Sequence, residues 1–241
     1  MKIYQLGSTF EFPHPGKAPA EGLLAFGGDL DPYRLIVAYS QGIFPWYSDD
    51  SPILWWSPDP RMVMKPEEFT TSKSLNQLIR KNIYSVTFDQ EFERVMRSCA
   101  TVVRPDEAGT WISEELIQAF IQLHLMGLAH SVEVWYEGKL VGGLYGLALG
   151  KIFFGESMFY HLRDASKFAL FHLCRFLHQH EFILIDAQQD TPHLRSLGAR
   201  TMDRADFLQI LEQQKDQNSL IGNWGDGSAK FCTFDFYNPF K

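Results

Sequence analysis

The sequence is poor in several features that define whole classes of protein. It contains 3 cysteines in 241 residues, and Cys99, Cys174 and Cys232 are too far apart for a disulfide framework or a zinc motif. The longest uncharged apolar run, residues 140–150, is shorter than the roughly 20 residues that a membrane helix needs. The first residues also lack the pattern of a secretory signal. These absences predict a cytoplasmic protein with no membrane span and no metal.

Positive charge is scarce as well. The chain carries a formal net charge of −7 at pH 7, which argues against general binding of nucleic acids. The exception is the span from residue 61 to residue 104, in which 8 basic residues outnumber 5 acidic ones. This basic span includes Arg80 and Lys81. It is either a solvated face or a contact surface for a polyanion, which salt would weaken.

The residues that are present can build a substantial core. Hydrophobic residues make up 45% of the chain, and the length suits one large or two small domains. Asp31 followed by Pro32 predicts the start of a short helix, with Tyr39 among the residues on its buried side. Trp46, Trp55 and Trp56 follow within a short span. Each is either a core residue or part of a platform on which a base stacks.

The middle of the chain predicts a helix followed by a hairpin. Apolar residues at helical spacing over 114–126 end at Gly127, which is typical of a helix terminus. Residues 131–136 then alternate in polarity, and the chain returns over 140–149, as in an antiparallel hairpin. Three glycines in the return strand indicate either a bulge or a ligand close to the backbone: Gly142, Gly143 and Gly146.

The stretch that follows predicts the functional site. Residues 151–159 are rich in Ile and Phe and indicate a strand in which Glu156 is the exceptional polar residue. Asp164 can cap the next helix, which is amphipathic and ends near residue 180. An apolar strand over 182–185 then leads to Asp186 and Gln188. The order strand, helix, strand predicts two parallel strands connected by a crossover helix. Polar groups at such a strand end, over an apolar floor, predict a small acyl-handling site.

Taken together, the motifs resemble those of the bacterial leucyl/phenylalanyl-tRNA–protein transferases. The resemblance covers residues 22 to about 211 and is specific because many motifs occur in one order. They are GLLAxGGDL (22–30), GIFPW (42–46), LWWSPDPR (54–61), GTWI (109–112), HSVEVW (130–135), FGESMF (154–159), DASK (164–167) and IDxQ (185–188). Ala187 stands where cysteine is common in the family, and the tail after residue 216 matches poorly.

The resemblance implies a fold and a reaction. The expected class is α+β, with a small N-terminal α+β domain over 1–60 and a catalytic domain similar to GNAT acyltransferases over 61–241. The expected enzyme is an aminoacyltransferase that moves Leu or Phe, and Met less well, from aminoacyl-tRNA to proteins that begin with Arg or Lys. That transfer would mark the acceptors for degradation. No cofactor, metal or membrane is implied.

The resemblance also implies roles for individual residues. Glu156, Asp186 and Gln188 would form the polar centre. Gln188 would orient the attacking amine, Asp186 would relay or accept its proton, and Glu156 would align the ribose or the amino group of the donor. Arg80 and Lys81 would contact the tRNA. The residues expected to bind the donor are Trp46 and Trp111 for the terminal adenosine, and Leu144, Phe153, Met158, Leu173 and Ile185 for the amino-acid side chain.

Two other functions compete with this interpretation. A CoA-dependent acyltransferase of the GNAT type would need a glycine-rich pyrophosphate loop before the crossover helix. That position has no glycine between residues 161 and 167 and carries Asp164 at the cap. A non-catalytic module that recognises protein N-termini would leave the tryptophan-rich first part of the chain unexplained.

Overall fold

The computed structural model describes residues 3–48, 50–102, 110–214 and 216–233. Arg104, at the end of the basic span, and Gly109, the first residue of the GTWI motif, lie outside the described residues, as does the end of the tail. The strands are β1 (Tyr4–Leu6), β2 (Leu23–Gly27), β3 (Phe44–Pro45), β4 (Leu54–Trp56), β5 (Arg61–Met64), β6 (Ser85–Phe88), β7 (Ala129–Tyr136), β8 (Lys139–Leu149), β9 (Ile152–Tyr160), β10 (Leu184–Gln188), β11 (Arg200–Met202), β12 (Ser219–Ile221) and β13 (Lys230–Cys232).

The helices agree with most of the periodic segments of the sequence. They are α1 (Pro32–Ser40), α2 (Lys73–Lys81), α3 (Phe92–Thr101), α4 (Glu114–Leu125), α5 (Ala165–Gln179), α6 (Pro192–Ser196) and α7 (Arg204–Gln213). Helix α1 begins as predicted, because Oδ1 of Asp31 accepts a hydrogen bond of 2.8 Å from the backbone of Tyr33. Among the described residues, no helix is both long and apolar enough to cross a bilayer.

A large mixed sheet forms the frame of the molecule. Its strand order is β11-β5-β10-β9-β8-β7-β6. Strands β9 and β10 are parallel and are joined by helix α5, whereas all other neighbouring strands are antiparallel. The predicted α+β class, with a mixed sheet and a crossover helix, is confirmed. The sequence analysis did not predict β5, which begins with the charged residue Arg61 and yet pairs with β10 inside the sheet.

A smaller sheet precedes the large one in the chain. Its order is β1-β2-β4-β3, so all its strands lie within residues 4–56, before the large sheet begins at residue 61. The two sheets share one hydrophobic cluster, in which Leu24 and Trp55 pack in the same core as Leu147 and Phe154. The domain boundary between residues 60 and 61 therefore stays a prediction.

Two details of the large sheet prepare the site. Between β8 and β9 the register shifts, because Tyr145 pairs with Ser157 and the next residue, Gly146, pairs with Gly155. Glu156 is therefore the extra residue of a β-bulge, as the glycines of the return strand suggested. A side chain at Gly142 would lie 2.6 Å from Cβ of Ala165 on α5, so this glycine admits the crossover helix rather than a ligand.

The crossover helix has Asp164 at its cap position as predicted, but the side chain does not cap the helix by a hydrogen bond. The backbone of Asp164 has a left-handed φ of 60°. Its carboxylate instead accepts a bond of 2.7 Å from Nζ of Lys167. A lysine one turn into the helix competes successfully for the carboxylate, because a charged donor makes the stronger hydrogen bond.

Candidate active site

A cavity of about 490 Å³ opens over the centre of the large sheet. It is lined by all seven residues that were predicted to hold the donor, together with Glu156 and Gln188. The seven are Trp46, Trp111, Leu144, Phe153, Met158, Leu173 and Ile185. The structure thus brings together residues that lie far apart in the sequence. Of the three residues of the predicted polar centre, Asp186 is the one that does not line the cavity.

Strand pairing builds the apolar floor of the cavity. Leu144 on β8 pairs with Met158 on β9, and Phe153 on β9 pairs with Ile185 on β10. Side chains directly opposite on neighbouring strands lie on the same face of a sheet. Leu173, on the buried side of α5, closes the floor from the helix layer.

Two tryptophans from outside the floor reach the same cavity. Trp46 follows β3, and Trp111 precedes α4; both are partly exposed and line the cavity. Trp46 packs edge to face against Trp56, with ring centroids 5.6 Å apart. Trp55, by contrast, is 0% exposed and belongs to the core. The two interpretations of these tryptophans therefore apply to different residues. Trp46 lines the cavity, as a stacking platform must, whereas Trp55 is a core residue.

Glu156 lines the cavity and carries an ionisable carboxyl group. Its Oε1 accepts two hydrogen bonds of 2.8 Å, one from the hydroxyl of Tyr39 and one from Nε2 of Gln188. Burial raises the pKa of Glu156 to about 7 because it disfavours the charged form. The bonds from Tyr39 and Gln188 lower this pKa; among nearby charges, Asp186 raises it and Arg61 lowers it. The carboxyl group therefore changes charge near neutral pH.

Gln188 owes its orientation to an irregular strand end. Its φ is 62°, a left-handed value, and the pairing of β10 with β5 shifts register between Asp186 and Gln188. The backbone N–H of Gln188 donates to Oδ1 of Asp186 over 3.0 Å. This local bond stabilises the turned backbone, and the turn directs the amide side chain to Glu156.

Asp186 lies behind the cavity and is 0% exposed. Its two carboxylate oxygens accept hydrogen bonds of 2.8 and 2.6 Å from Arg61. Arg61 is held between the rings of Phe44 and Phe207, each 4.8 Å from its guanidinium carbon, and donates a further bond to the carbonyl of Gly42. Such a buried bidentate pair fixes geometry. Arg61, counted above in the basic span, is therefore unavailable to a polyanion.

The sequence analysis did not identify several residues of the site as functional. Tyr39 appeared only as a buried helical residue, and Arg61 only as one charge among many. His193, on α6, also lines the cavity, and burial together with the nearby charge of Lys167 lowers the pKa of this imidazole. Arg61 is the last residue of the motif LWWSPDPR, which contributes to the family resemblance. Its place in that motif is the signal that could have identified it.

The predicted tRNA contacts lie apart from the cavity. Arg80 and Lys81 form the exposed end of α2 and are not among the cavity-lining residues. In the described part of the chain neither side chain takes part in an ion pair. Two cations in the last turn also suit the negative end of the helix dipole, so their position is compatible with a purely local role.

Comparison with known proteins identifies relatives over almost the whole chain. Residues 63–212 match the model of the leucyl/phenylalanyl-tRNA protein transferase family, and residues 28–59 match the model of its N-terminal domain. A leucyl/phenylalanyl-tRNA–protein transferase of Nitrosospira multiformis is 54% identical over 94% of this chain and 95% of its own length. The enzyme of the same name from Maridesulfovibrio salexigens is 49% identical over 93% of this chain and 94% of its own length.

Solved structures are similar only at a low level. A GCN5-related N-acetyltransferase from Kribbella flavida has a TM-score of 0.36 and 10% identity, and covers 68% of this chain and 58% of its own. L-PGS from Bacillus licheniformis has the same TM-score with 11% identity, and covers 60% of this chain and 45% of its own. These values are too low to support a conclusion about activity.

Proposed function

This chain belongs to the leucyl/phenylalanyl-tRNA protein transferase family and is an aminoacyltransferase, and we propose that its acceptors are proteins that begin with Arg or Lys. Leu or Phe on tRNA is the donor. The observation that carries the proposal is a cavity with an apolar floor and, among the described residues that line it, one acidic group, Glu156. In our proposal the transferred residue marks the acceptor for degradation.

The donor half of the cavity fits an aminoacyl-adenosine. An apolar side chain such as that of Leu or Phe would be matched by Leu144, Met158 and the other residues of the floor, whose side chains are apolar. The terminal adenine would stack on Trp46 or Trp111, since an aromatic face accepts any base. Shape and hydrophobicity alone discriminate among aliphatic side chains by only about 1–3 kcal/mol, so preference rather than exclusion is expected.

The reaction needs little chemical assistance. The α-amine of the acceptor, with a pKa of about 7.7–8.0 in model peptides, is neutral in a substantial fraction of molecules near about pH 7.5. Its nitrogen attacks the ester carbon, a C–N bond forms, and the bond from that carbon to the ribose oxygen breaks. The proton lost by the nitrogen ends on the ribose oxygen. Orientation supplies much of the rate in such a reaction, with effective molarities of about 10⁵ M or more.

Gln188 is suited to orient the amine. Its Nε2 donates to Glu156, and among the described residues its Oε1 has no hydrogen-bond partner, so this oxygen can accept an N–H of the amine. The buried position of Asp186 supports action through the backbone N–H of Gln188 rather than direct acceptance of the proton. In its ionised form, Glu156 also gives the cavity the negative charge that favours a cationic acceptor.

The body of the tRNA lies outside the cavity in this proposal. Arg80 and Lys81 are exposed and form no ion pair with the residues that the structure describes, so their charges are available to phosphates. Each phosphate contact contributes about one unit to the salt dependence of binding. Acetyl-CoA, the donor of the competing function, is not favoured at the start of α5, because residues 161–167 contain no glycine that would let a pyrophosphate approach the backbone closely.

The proposed function is tested with purified protein and two labelled donors, Leu-tRNA and acetyl-CoA. Peptides that begin with Arg or Lys serve as acceptors. Matched peptides begin with Ala or carry a blocked α-amine. We expect transfer of Leu to the Arg and Lys peptides and none to the blocked peptide. Equal transfer to the Ala peptide would overturn the acceptor assignment, and transfer of acetyl groups alone would overturn the function.

A further inference from the structure

We propose that Tyr39 is a positioning residue for the transfer: its hydroxyl holds the Glu156 carboxylate, and through it the Gln188 amide, in the orientation that the acceptor amine requires. This inference rests on the proposed function and deepens it. Tyr39 comes from helix α1, which precedes the large sheet in the chain, whereas Glu156 and Gln188 lie on β9 and β10. The catalytic geometry therefore depends on a contact from outside the sheet.

The hydrogen bonds establish the order of the three groups. The Tyr39 hydroxyl lies 2.8 Å from Oε1 of Glu156, and the same oxygen accepts Nε2 of Gln188 over 2.8 Å. An ionised carboxylate only accepts hydrogen bonds, so both neighbours must donate to it. For Gln188 this means that the amide nitrogen points to Glu156, and the amide oxygen is left for the acceptor amine.

The position of Tyr39 is itself fixed by packing. The side chain is 0% exposed. Its ring meets the rings of Phe154 and Phe120 edge to face, with centroids 5.4 and 6.4 Å away. Glu156, as the extra residue of a bulge, lacks the strand pairing that restrains its neighbours. A rigid hydroxyl on a buried ring is therefore well placed to hold a carboxylate whose own backbone is irregular.

The charges around the carboxylate give the contact a pH dependence. Burial raises the pKa of Glu156 to about 7, the bond from Tyr39 lowers it, and Asp186 and Arg61 act in opposite directions. Burial and the charge of Glu156 raise the pKa of Tyr39 well above its usual value, and Tyr145 and Asp186 add to this, so its hydroxyl remains a donor. Loss of that hydroxyl should therefore protonate Glu156 at a higher pH and release the amide of Gln188.

The test compares single-turnover transfer of Leu by Tyr39→Phe and by the natural protein from about pH 6 to about pH 9, a range that brackets both Glu156 and the amine. The ratio of the two rates cancels the titration of the acceptor amine. We expect the rate of Tyr39→Phe divided by that of the natural protein to be lowest at acid pH. The ratio should approach one about one to two pH units above the pH at which Glu156 is half-ionised in the natural protein.

Two further variants separate positioning from packing. Tyr84→Phe removes another buried hydroxyl, 3.4 Å from the carbonyl of Arg163 and outside the cavity, and should give a ratio near one at every pH. Adding Tyr39→Phe to Glu156→Gln should leave the pH profile of that single variant unchanged, because a group that cannot titrate has no pKa to move. A ratio for Tyr39→Phe that is independent of pH would overturn the proposal.

The outcome remains interpretable if Tyr39→Phe does not fold. Incorporation of 3-fluorotyrosine at position 39 preserves the ring and makes the hydroxyl a stronger donor. The acid limb of the profile should then move to lower pH, and an unmoved limb would contradict the proposal. Failure of the proposed function is distinguishable, because in that case the natural protein itself would not transfer Leu to the Arg peptide.

Discussion

Two polar clusters of the large sheet contain similar groups and differ in their surroundings. In the first, Glu156 joins Tyr39 and Gln188 on the wall of the cavity. In the second, Asp89 joins His130, whose Nδ1 lies 2.8 Å from Oδ2 of the carboxylate. An aspartate–histidine pair is a frequent component of catalytic sites, and by residue type alone the second cluster is the more obvious candidate.

The second cluster is closed on every side. Asp89 also accepts hydrogen bonds from the backbone N–H groups of Ser131 and Trp224, at 2.9 and 2.7 Å. The ring of Trp224 stacks on His130 at 3.6 Å, and neither His130 nor Asp89 lines the cavity. Burial lowers the pKa of His130 despite the opposing effect of Asp89. This cluster attaches the segment around residue 224 to the sheet. Access to the cavity is the difference on which we base the proposal of a functional role for the first cluster and a structural role for the second.

The largest expected effect is on catalysis and belongs to the open cluster. Gln188→Ala removes the group that we propose orients the amine, and transfer should fall about 10²–10⁴-fold, the usual contribution of a positioned polar group. The melting temperature and the affinity for aminoacyl-tRNA should stay close to those of the natural protein. Single-turnover transfer at saturating donor, measured beside donor binding, checks this. Normal transfer would remove Gln188 from the mechanism.

The next effect is on stability and belongs to the closed cluster. Asp89→Ala leaves the N–H groups of Ser131 and Trp224 buried without an acceptor, at a cost of about 1–3 kcal/mol each. Denaturant unfolding should reveal this loss. At a temperature where the variant is still folded, its rate of transfer should be normal. A large loss of transfer by folded Asp89→Ala would mean that the two clusters are coupled.

A smaller effect separates the two kinds of tryptophan. Trp111→Ala removes an aromatic surface of the cavity on which we propose that the donor base stacks. It should weaken donor binding by about 1–3 kcal/mol, with little change in transfer at saturating donor. Trp224→Ala should instead lower the melting temperature and leave donor affinity unchanged. Equilibrium binding and thermal melting of the two variants provide the check. Unaltered donor affinity in Trp111→Ala would remove that residue from the donor site.

The last prediction is a pH dependence of stability that has opposite signs in the two clusters. Because the folded state raises the pKa of Glu156 from 4.5 to about 7, this group loses its stabilising contribution as pH rises through that window. Because the folded state lowers the pKa of His130, the protein instead loses stability as pH falls below 6.5.

The substitutions Glu156→Gln and His130→Gln remove these titrations one at a time. The melting temperature of Glu156→Gln, relative to the natural protein, should rise between pH 4.5 and about pH 7. That of His130→Gln should rise as pH falls below 6.5. Parallel trends for the two variants would show that the assigned charge states are wrong.

Local patterns were sufficient to predict a large part of the fold. The helical spacing over 114–126 and the alternation after it became α4 and the hairpin of β7 and β8. The strand, helix and strand around Glu156 and Asp186 also appear with the expected parallel pairing. Strand β5 was missed because its burial comes from neighbours distant in sequence: β10 and β11 flank it, and Asp186 compensates the charge of Arg61.

The sequence by itself determined the family and the succession of elements from α4 to β10, because these depend on local spacing and on motifs that occur in linear order. Only the tertiary structure decided which polar groups face the cavity. A bulge of one residue exposes Glu156 there, a left-handed turn directs Gln188 to it, and a buried arginine withdraws Asp186 behind it. Pairing register and burial arise from contacts between segments far apart in the chain, which no local pattern encodes.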